Sequence, residues 1–556
     1  MANKQIKKGK KKTKTTKAAK ISAPMKLPPA IGAKAAEAEE KQSVTDLHSP
    51  EVLANFRDVF RFHGERPRGS DFFPGSTLFE GRFGRMFRTL EAAEFVEGDL
   101  KALAAAMIAQ REDPPTPEGE VDDEENQDIS AGYTYLGQFI DHDLTFDPAS
   151  SLQKQNDPDA LEDFRTPRFD LDCVYGRGPN DQPYLYDDDG VHMLLGRQLR
   201  GNDDPGTRDL QRNRPENGRQ RALIGDPRND ENVIVSQLQG IMLRFHNSVA
   251  DFLKPEGGGA SDFEEVQNAV RWHYQWVVLK DFLKTVAGQD VIDEILPHLK
   301  NETSIRVDKP KLTYFGWKNS PFMPIEFSAA AYRFGHSMVR PIYRLNTSLA
   351  RKEIFSPNTS NSLEGFRAFP ANYAIDWSLF FDMGNVPTQE TERLQKSYRI
   401  DSSLVNPLGS LPAVIGANVP SLAERNLIRG WRMGLPSGQT VARYMDVEVI
   451  PDEELVVGQA VDEPDPPNKH LTEISANFAD NAPLWYYILA EAQHEFDGAK
   501  LGPVGSRIVA EVLIGLLLGD QHSFLSQYPS WTPLEAFTND EGKFGMAELI
   551  KQAKEA

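Results

Sequence analysis

The chain has 556 residues, a mean hydropathy of -0.49 and 26% charged residues, the composition of a globular protein that faces water. Its formal net charge of -20 argues against nucleic acid as a main partner. A single cysteine, Cys173, excludes an intramolecular disulfide, so packing, a cofactor or a metal must hold the fold, as suits a reducing compartment.

Charge is unevenly placed. Residues 1–26 carry ten lysines and no acid, so the remainder is a markedly acidic body. Residues 1–45 hold few large apolar side chains and are expected to be a disordered Lys-rich arm, because they bury too little surface to offset ordering entropy. The start has no apolar run of the secretory kind. Residues 46–540 are expected to form a single domain, packed from about Asp58 onward, and residues 541–556 a C-terminal tail.

Leu90 to Gln110 is helical by composition, and an acidic, Pro-containing loop is expected over 111–130. Within 135–148, Leu136, Phe139, Ile140 and Leu144 recur at three- and four-residue intervals, which predicts a short amphipathic helix. Gln138 and His142 lie four apart and share a face, and Asp141 and Asp143 flank the histidine. This suits a polar cavity, and equally a polar helix end with a hydrogen-bonded histidine.

Residues 149–200 are rich in turn formers. Inside them, Thr166, Arg168 (through its carbonyl), Asp170 and Asp172 alternate as oxygen donors, the ligand type a hard cation such as Ca²⁺ takes, though the spacing is not that of an EF-hand. A strongly periodic helix is predicted over 233–254, preceded by a loop with Arg228 and Glu231 three apart. An acidic first turn explains Glu231 but not Arg228. Helices are also expected over 262–300, over 327–344 with Pro341 as terminator, over 420–445 and over 480–526. The third of these regions places Asn426 and Arg429 on one face, and small residues surround His336 in the second. The longest apolar run, Val512 to Leu518, is far short of the roughly 20 residues a membrane span needs. No sustained strand pattern occurs, so the expected class is all-α.

Four separated motifs occur in order: Gly137 to Asp143, Thr166 to Gly176, Arg228 to Glu231, and Tyr332 to His336, with Asn426 to Arg429 as a fifth. Together they resemble the animal-type haem peroxidases, from about residue 60 to 530. The resemblance implies a mainly helical fold with haem b buried in a central helical core and little β structure. It implies His142 as the distal base, Arg228 as the distal arginine and Gln138 as the distal amide. His336 is implied as the iron ligand, with Asn426 accepting from its other ring nitrogen, and Arg333 and Arg429 as partners of the haem propionates. Asp141 and Glu231 match the carboxylates that form ester bonds to the haem in that family. Asp143, Thr166, Arg168, Asp170 and Asp172 match its calcium ligands. Asn232 stands where myeloperoxidase has a haem-linked methionine, so that third link is not expected.

The implied activity is reduction of H2O2 with oxidation of bromide, iodide, thiocyanate or small phenolic donors through an oxoferryl species, chloride being undecided. Two alternatives belong to relatives of the family. One is a fatty-acid dioxygenase, which uses a tyrosine three residues before the proximal histidine, where this chain has Arg333. The other is a non-catalytic adhesion protein, against which the intact His142, Arg228, Gln138 and His336 argue. Without disulfides, the resemblance points to a prokaryotic relative, cytoplasmic or exported without a recognisable N-terminal signal.

Overall fold

In a computed structural model of the chain, the residues described are 81–556, apart from 112–115, 118–123, 146–161, 164, 216–217, 219, 256–258, 318–320, 385–392, 413–418 and 465. All belong to the unit Arg66–Ala556. The expected arm over 1–45 and the start of packing near Asp58 lie outside the described residues.

Helix dominates, as expected. The longer helices are α1 (Glu97–Ala106), α2 (Ala131–Leu144), α3 (Val233–Phe252), α4 (Phe263–Val277), α5 (Leu422–Arg432), α6 (Leu484–Phe496), α7 (Pro503–Gly519) and α8 (Met546–Lys554). Strands among the described residues run two to six residues, such as Glu125–Ser130 paired antiparallel with Lys396–Tyr398. No described helix is long and apolar enough to cross a membrane.

The core is built on helices that are apolar nearly all round, which is the pattern of a buried rather than a surface helix. In α7 every residue from Ile508 to Leu518 is buried. Its one acid in that stretch, Glu511, is tolerated because backbone N–H groups of Thr313, Tyr314 and Phe315 donate to it at 3.0, 2.7 and 2.9 Å. Helix α3 is buried along most of its length, and the Asn232 side chain caps its start by accepting from Ile234 and Val235 N–H.

Helix α2 begins four residues earlier than its apolar pattern suggests. Its first N–H groups find acceptors remote in sequence: Ala131 donates to Gln395 O and Gly132 to Phe380 O. A Cβ on Gly132 would stand 2.6 Å from Phe380 O and 2.5 Å from the Phe381 ring, so only glycine allows that approach.

Three expectations need correction. Residues 541–556 are not a tail: Met546, Leu549, Ile550 and Ala553 of α8 are buried, and Met546 N–H donates to Asp281 Oδ2 at 2.7 Å. The 111–130 loop contains the Glu125–Ser130 strand. The helix expected over 327–344 breaks at Ala330 into a short α turn, Ile325–Ala329, and a 3-10 turn, Ala331–His336. The tighter turn is held by Arg333, whose Nε donates to Ser328 O.

Candidate active site

Helix α2 presents His142, which is buried. Its Nδ1 lies 2.7 Å from Asn229 Oδ1, and its Nε2 makes no hydrogen bond to a described residue, lying 3.8 Å from Glu231 Oε1. Burial and the nearby Arg228 charge lower its pKa to about 4, so the imidazole is neutral near pH 7. Gln138, one turn earlier, donates to Glu231 and accepts from Asn232 Nδ2 at 3.0 Å. Burial raises the Glu231 carboxyl to about 7. Asp141 accepts from Thr145 Oγ1 at 3.1 Å.

Arg228 comes from the 3-10 turn Pro227–Asp230 that leads into α3. Its Nη2 donates to His142 O at 3.1 Å, to Thr145 O, and to Asp226 Oδ2 at 2.8 Å. The guanidinium therefore closes the C-terminal end of α2, where a cation complements the helix dipole. Its Nη1 lies 4.0 Å from Asp141 Oδ2. Asp226 is fully buried and also accepts from Arg165 Nε and Nη2 at 3.1 and 2.7 Å. Burial opposes its ionisation, but Arg228 and Arg165 outweigh burial and hold the carboxyl well below the usual range.

The 3-10 turn carries the second histidine. His336 Nδ1 lies 2.8 Å from Asn426 Nδ2, and its Nε2 makes no hydrogen bond to a described residue. Burial, with the Arg333 charge, lowers its pKa to about 3. Arg333 Nη1 donates to Asn426 Oδ1 at 3.0 Å. The amide is thus drawn with its NH2 toward His336, the reverse of the expected acceptor role. The two halves meet: Tyr332 OH donates to Gly137 O at 3.2 Å, and the Asp141 charge is felt at Arg333. Arg429 lies one turn along α5 from Asn426 and is half-buried.

Several of these groups are not fully enclosed. Gln138, Asp141, Arg228, Glu231, Arg333 and His336 all keep accessible surface although burial leads the perturbation of His336 and Glu231. A Cβ on Gly335 would meet nothing within 4 Å, and Ser328 Oγ is buried without a partner.

The third cluster is acidic. Ligand oxygens of Asp143, Asp170 and Asp172 lie within 4.8 Å of one another. Asp143 Oδ2 and Asp172 Oδ1 are buried without hydrogen-bond partners. Burial and mutual repulsion push Asp143 well up and Asp172 to about 7. Thr166 Oγ1 donates to Asp170 Oδ2 at 2.7 Å, and Arg168 is half-buried beside it in sequence.

Sequence reasoning passed over Asn229, Gln239, Arg165 and Asp226 as site residues. Asn229 and Asp226 sit in or beside a quoted motif. Gln239 carries no local signal, since a glutamine inside an apolar helix reads the same whether it faces a partner or water.

This helical arrangement is shared with solved structures. Peroxidase A from Dictyostelium discoideum superposes with a TM-score of 0.55 at 17% identity, over 86% of this chain and 93% of that one. The Oryza sativa fatty acid alpha-dioxygenase gives 0.50 at 16% identity, over 90% and 87%. Among curated sequences, Peroxidasin of Drosophila melanogaster is 25% identical over 323 residues, 56% of this chain and 19% of that protein. Thyroid peroxidase of Rattus norvegicus is 24% identical over 322 residues, 54% and 30%. The matches thus span less than a third of either curated relative. The model of the animal haem peroxidase family matches residues 152–543, which include Arg228, Glu231, His336 and Asn426 and begin after α2. The chain belongs to the animal haem peroxidase family.

Proposed function

We propose that the protein is a haem peroxidase that reduces H2O2 and oxidises bromide, iodide, thiocyanate or small phenols. One observation carries this reading. Two histidines each have Nδ1 engaged by an asparagine, at 2.7 and 2.8 Å, and each leaves Nε2 without a hydrogen bond to a described residue. One such nitrogen suits a metal and the other a substrate proton.

The residues fit a haem. His336 Nε2 is available as a ligand, open space adjoins Gly335, and Ser328 Oγ is an orphaned polar atom. Arg333 and Arg429 would pair with its propionates. Asp141 and Glu231, partly accessible at 38% and 32% of their side chains, would be the groups for ester attachment. When bound, the iron would supply the redox chemistry that cleaves the O–O bond. If His336 binds iron through Nε2, Nδ1 must carry a proton, and Asn426 must turn its oxygen to accept it. That turn takes the oxygen from Arg333, and a propionate would replace it.

His142 Nε2 would accept the proton of H2O2 and return it to the leaving oxygen, a role for which a neutral imidazole is required. Arg228 would stabilise the negative charge that develops on that oxygen, its orientation fixed by Asp226. Gln138 would order water or a donor anion beside Glu231. Asp143, Asp170 and Asp172, with Thr166 and the Arg168 carbonyl, would hold Ca²⁺, which would satisfy the two orphaned oxygens.

The fold is common to peroxidase and dioxygenase chemistry, so the choice rests on side chains. Tyr332, the tyrosine nearest the dioxygenase position, donates to a backbone carbonyl, which cannot take a phenol proton. The test is direct. Haem-loaded protein should oxidise bromide or iodide with H2O2 far faster than it consumes oxygen with a fatty acid, and His336→Ala should lose the Soret band. Faster oxygen uptake with fatty acid would overturn the peroxidase reading.

A further inference from the structure

His142 can act as a base at Nε2 only if its proton resides on Nδ1, and an imidazole in isolation distributes that proton between the two nitrogens. The chain settles the choice through a buried series of amides. Gln239 Nε2 lies 3.4 Å from Cys173 O, a carbonyl that can only accept. Gln239 must therefore turn its NH2 to Cys173 and its oxygen to Asn229. Asn229 Nδ2 donates to that oxygen at 2.8 Å, which leaves Asn229 Oδ1 facing His142 Nδ1 at 2.7 Å. Each amide orientation follows from the one before it, and an oxygen at the end of the series demands a proton on Nδ1. Asn229 and Gln239 are fully buried, so water does not compete for these bonds.

We propose that Asn229 and Gln239 are positioning residues that fix the tautomer of His142, with the proton on Nδ1 and the lone pair on Nε2. This rests on the reading of His142 as the proton acceptor. An amide does this without adding charge beside an imidazole already surrounded by Arg228, Asp226, Asp141 and Glu231. The effect is orientational, because both residues are fully buried and act through His142.

The experiment uses haem-loaded protein and cyanide, whose acid form must give up a proton as it binds. Asn229→Leu should slow cyanide association roughly 10- to 100-fold, part of the roughly 10²- to 10⁴-fold that a positioned base supplies. Nitrogen–proton correlation spectra of the ferrous carbon monoxide complex, labelled at histidine, read the tautomer directly. Wild type should show a solvent-protected Nδ1–H that His142→Leu removes. Asn229→Leu should lose it, and Asn229→Asp, which keeps an acceptor in place, should restore it. Unchanged signal and rate in Asn229→Leu, with His142→Leu slow, would overturn the proposal alone. A normal rate in His142→Leu would instead overturn the base assignment on which it rests. Should Asn229→Leu fail to fold, Gln239→Met serves: loss of solvent protection at Nδ1–H supports the proposal, and full protection refutes it.

Discussion

Asp226 is the acid that anchors Arg228 and Arg165, and Asp226→Asn isolates its charge. The carboxylate is wholly buried and receives the Arg165 guanidinium, the Arg228 guanidinium and the Arg228 backbone N–H, the last at 2.8 Å. An asparagine keeps the shape, removes the charge and turns an NH2 toward a cation. Removing one partner of a buried ion pair costs about 3–5 kcal/mol, because the other charge is left without compensation. At about 2.1 cal/mol/K per residue, a unit of 491 residues has an unfolding entropy near ~1 kcal/mol/K, so the melting temperature should fall by about 3–5 °C. Calorimetry at fixed cation concentration reads this. Asp251→Asn is the control, since its ion pair with Lys254 is half exposed and should contribute less than about 1 kcal/mol. The Asp226 carboxyl is depressed in the fold, so its contribution is present above the usual value near 3.8 and is lost as pH falls through the folded value. The difference between variant and wild type should therefore shrink only on strong acidification. The rate of reaction with H2O2 should fall as well, because Arg228 loses its anchor. A melting shift no larger than that of Asp251→Asn, with an unchanged rate, would refute the reasoning.

Glu491 carries the opposite sign. Burial raises its carboxyl to about 8 despite the Val504 and Gly505 N–H groups that donate to it, so its favourable contribution is full below about 4.5 and is lost as pH rises through about 8. Glu491→Gln should match wild type near pH 5 and exceed it near pH 9, with a ceiling of roughly 5 kcal/mol at 1.36 kcal/mol per pH unit; equal pH profiles in urea titrations would contradict this. Calcium at about 100 times its Kd should stabilise wild type by roughly 2.7 kcal/mol, a melting shift of about 3 °C, and Asp143→Ala should abolish the response. Retention of the shift in Asp143→Ala would remove that carboxylate from the cation site. A Cβ on Gly225 would stand 2.2 Å from Asp172 O and 2.7 Å from Cys173 O, both backbone atoms, so Gly225→Ala should destabilise by about 1–3 kcal/mol in the same melts. A neutral result would show that the two loops can part freely.

What the sequence disclosed follows from range. The periodicity of 135–148 and 233–254 is local, and the structure has helices at Ala131–Leu144 and Val233–Phe252. The start of α2 was not legible because the acceptors for Ala131 and Gly132 come from residues 395 and 380. The break at Ala330 was hidden for a similar reason: small residues around His336 allow either helix type, and the Arg333 contacts decide. Tail residues 541–556 look polar in isolation, and only the partner surface reveals that Met546, Leu549 and Ile550 form one buried stripe. The motifs gave candidate residues by type and spacing, yet Asn229, inside one of them, was passed over. Residues that act through others, Gln239 and Arg165 above all, were not legible, because their significance lies in what they touch.

Those contacts explain why an ion would matter to chemistry it does not join. Arg165 bridges Asp172 at 3.1 Å to Asp226, and Asp226 holds Arg228. Cys173 O receives Gln239, which leads to Asn229 and His142, while Cys173 Sγ lies 3.4 Å from Asp143 Oδ1. The segment 165–173 thus supports both Arg228 and His142. Helix α2 adds a lever. His142 and Asp143 are successive residues, so a cation held by Asp143 resists rotation of the helix about its axis. With side chains reaching about 5–6 Å from that axis, a 20° rotation would carry His142 Nε2 by roughly 2 Å. A displacement of about 1 Å can cost on the order of 100-fold in rate, so a structural ion there would govern the reaction through angle alone.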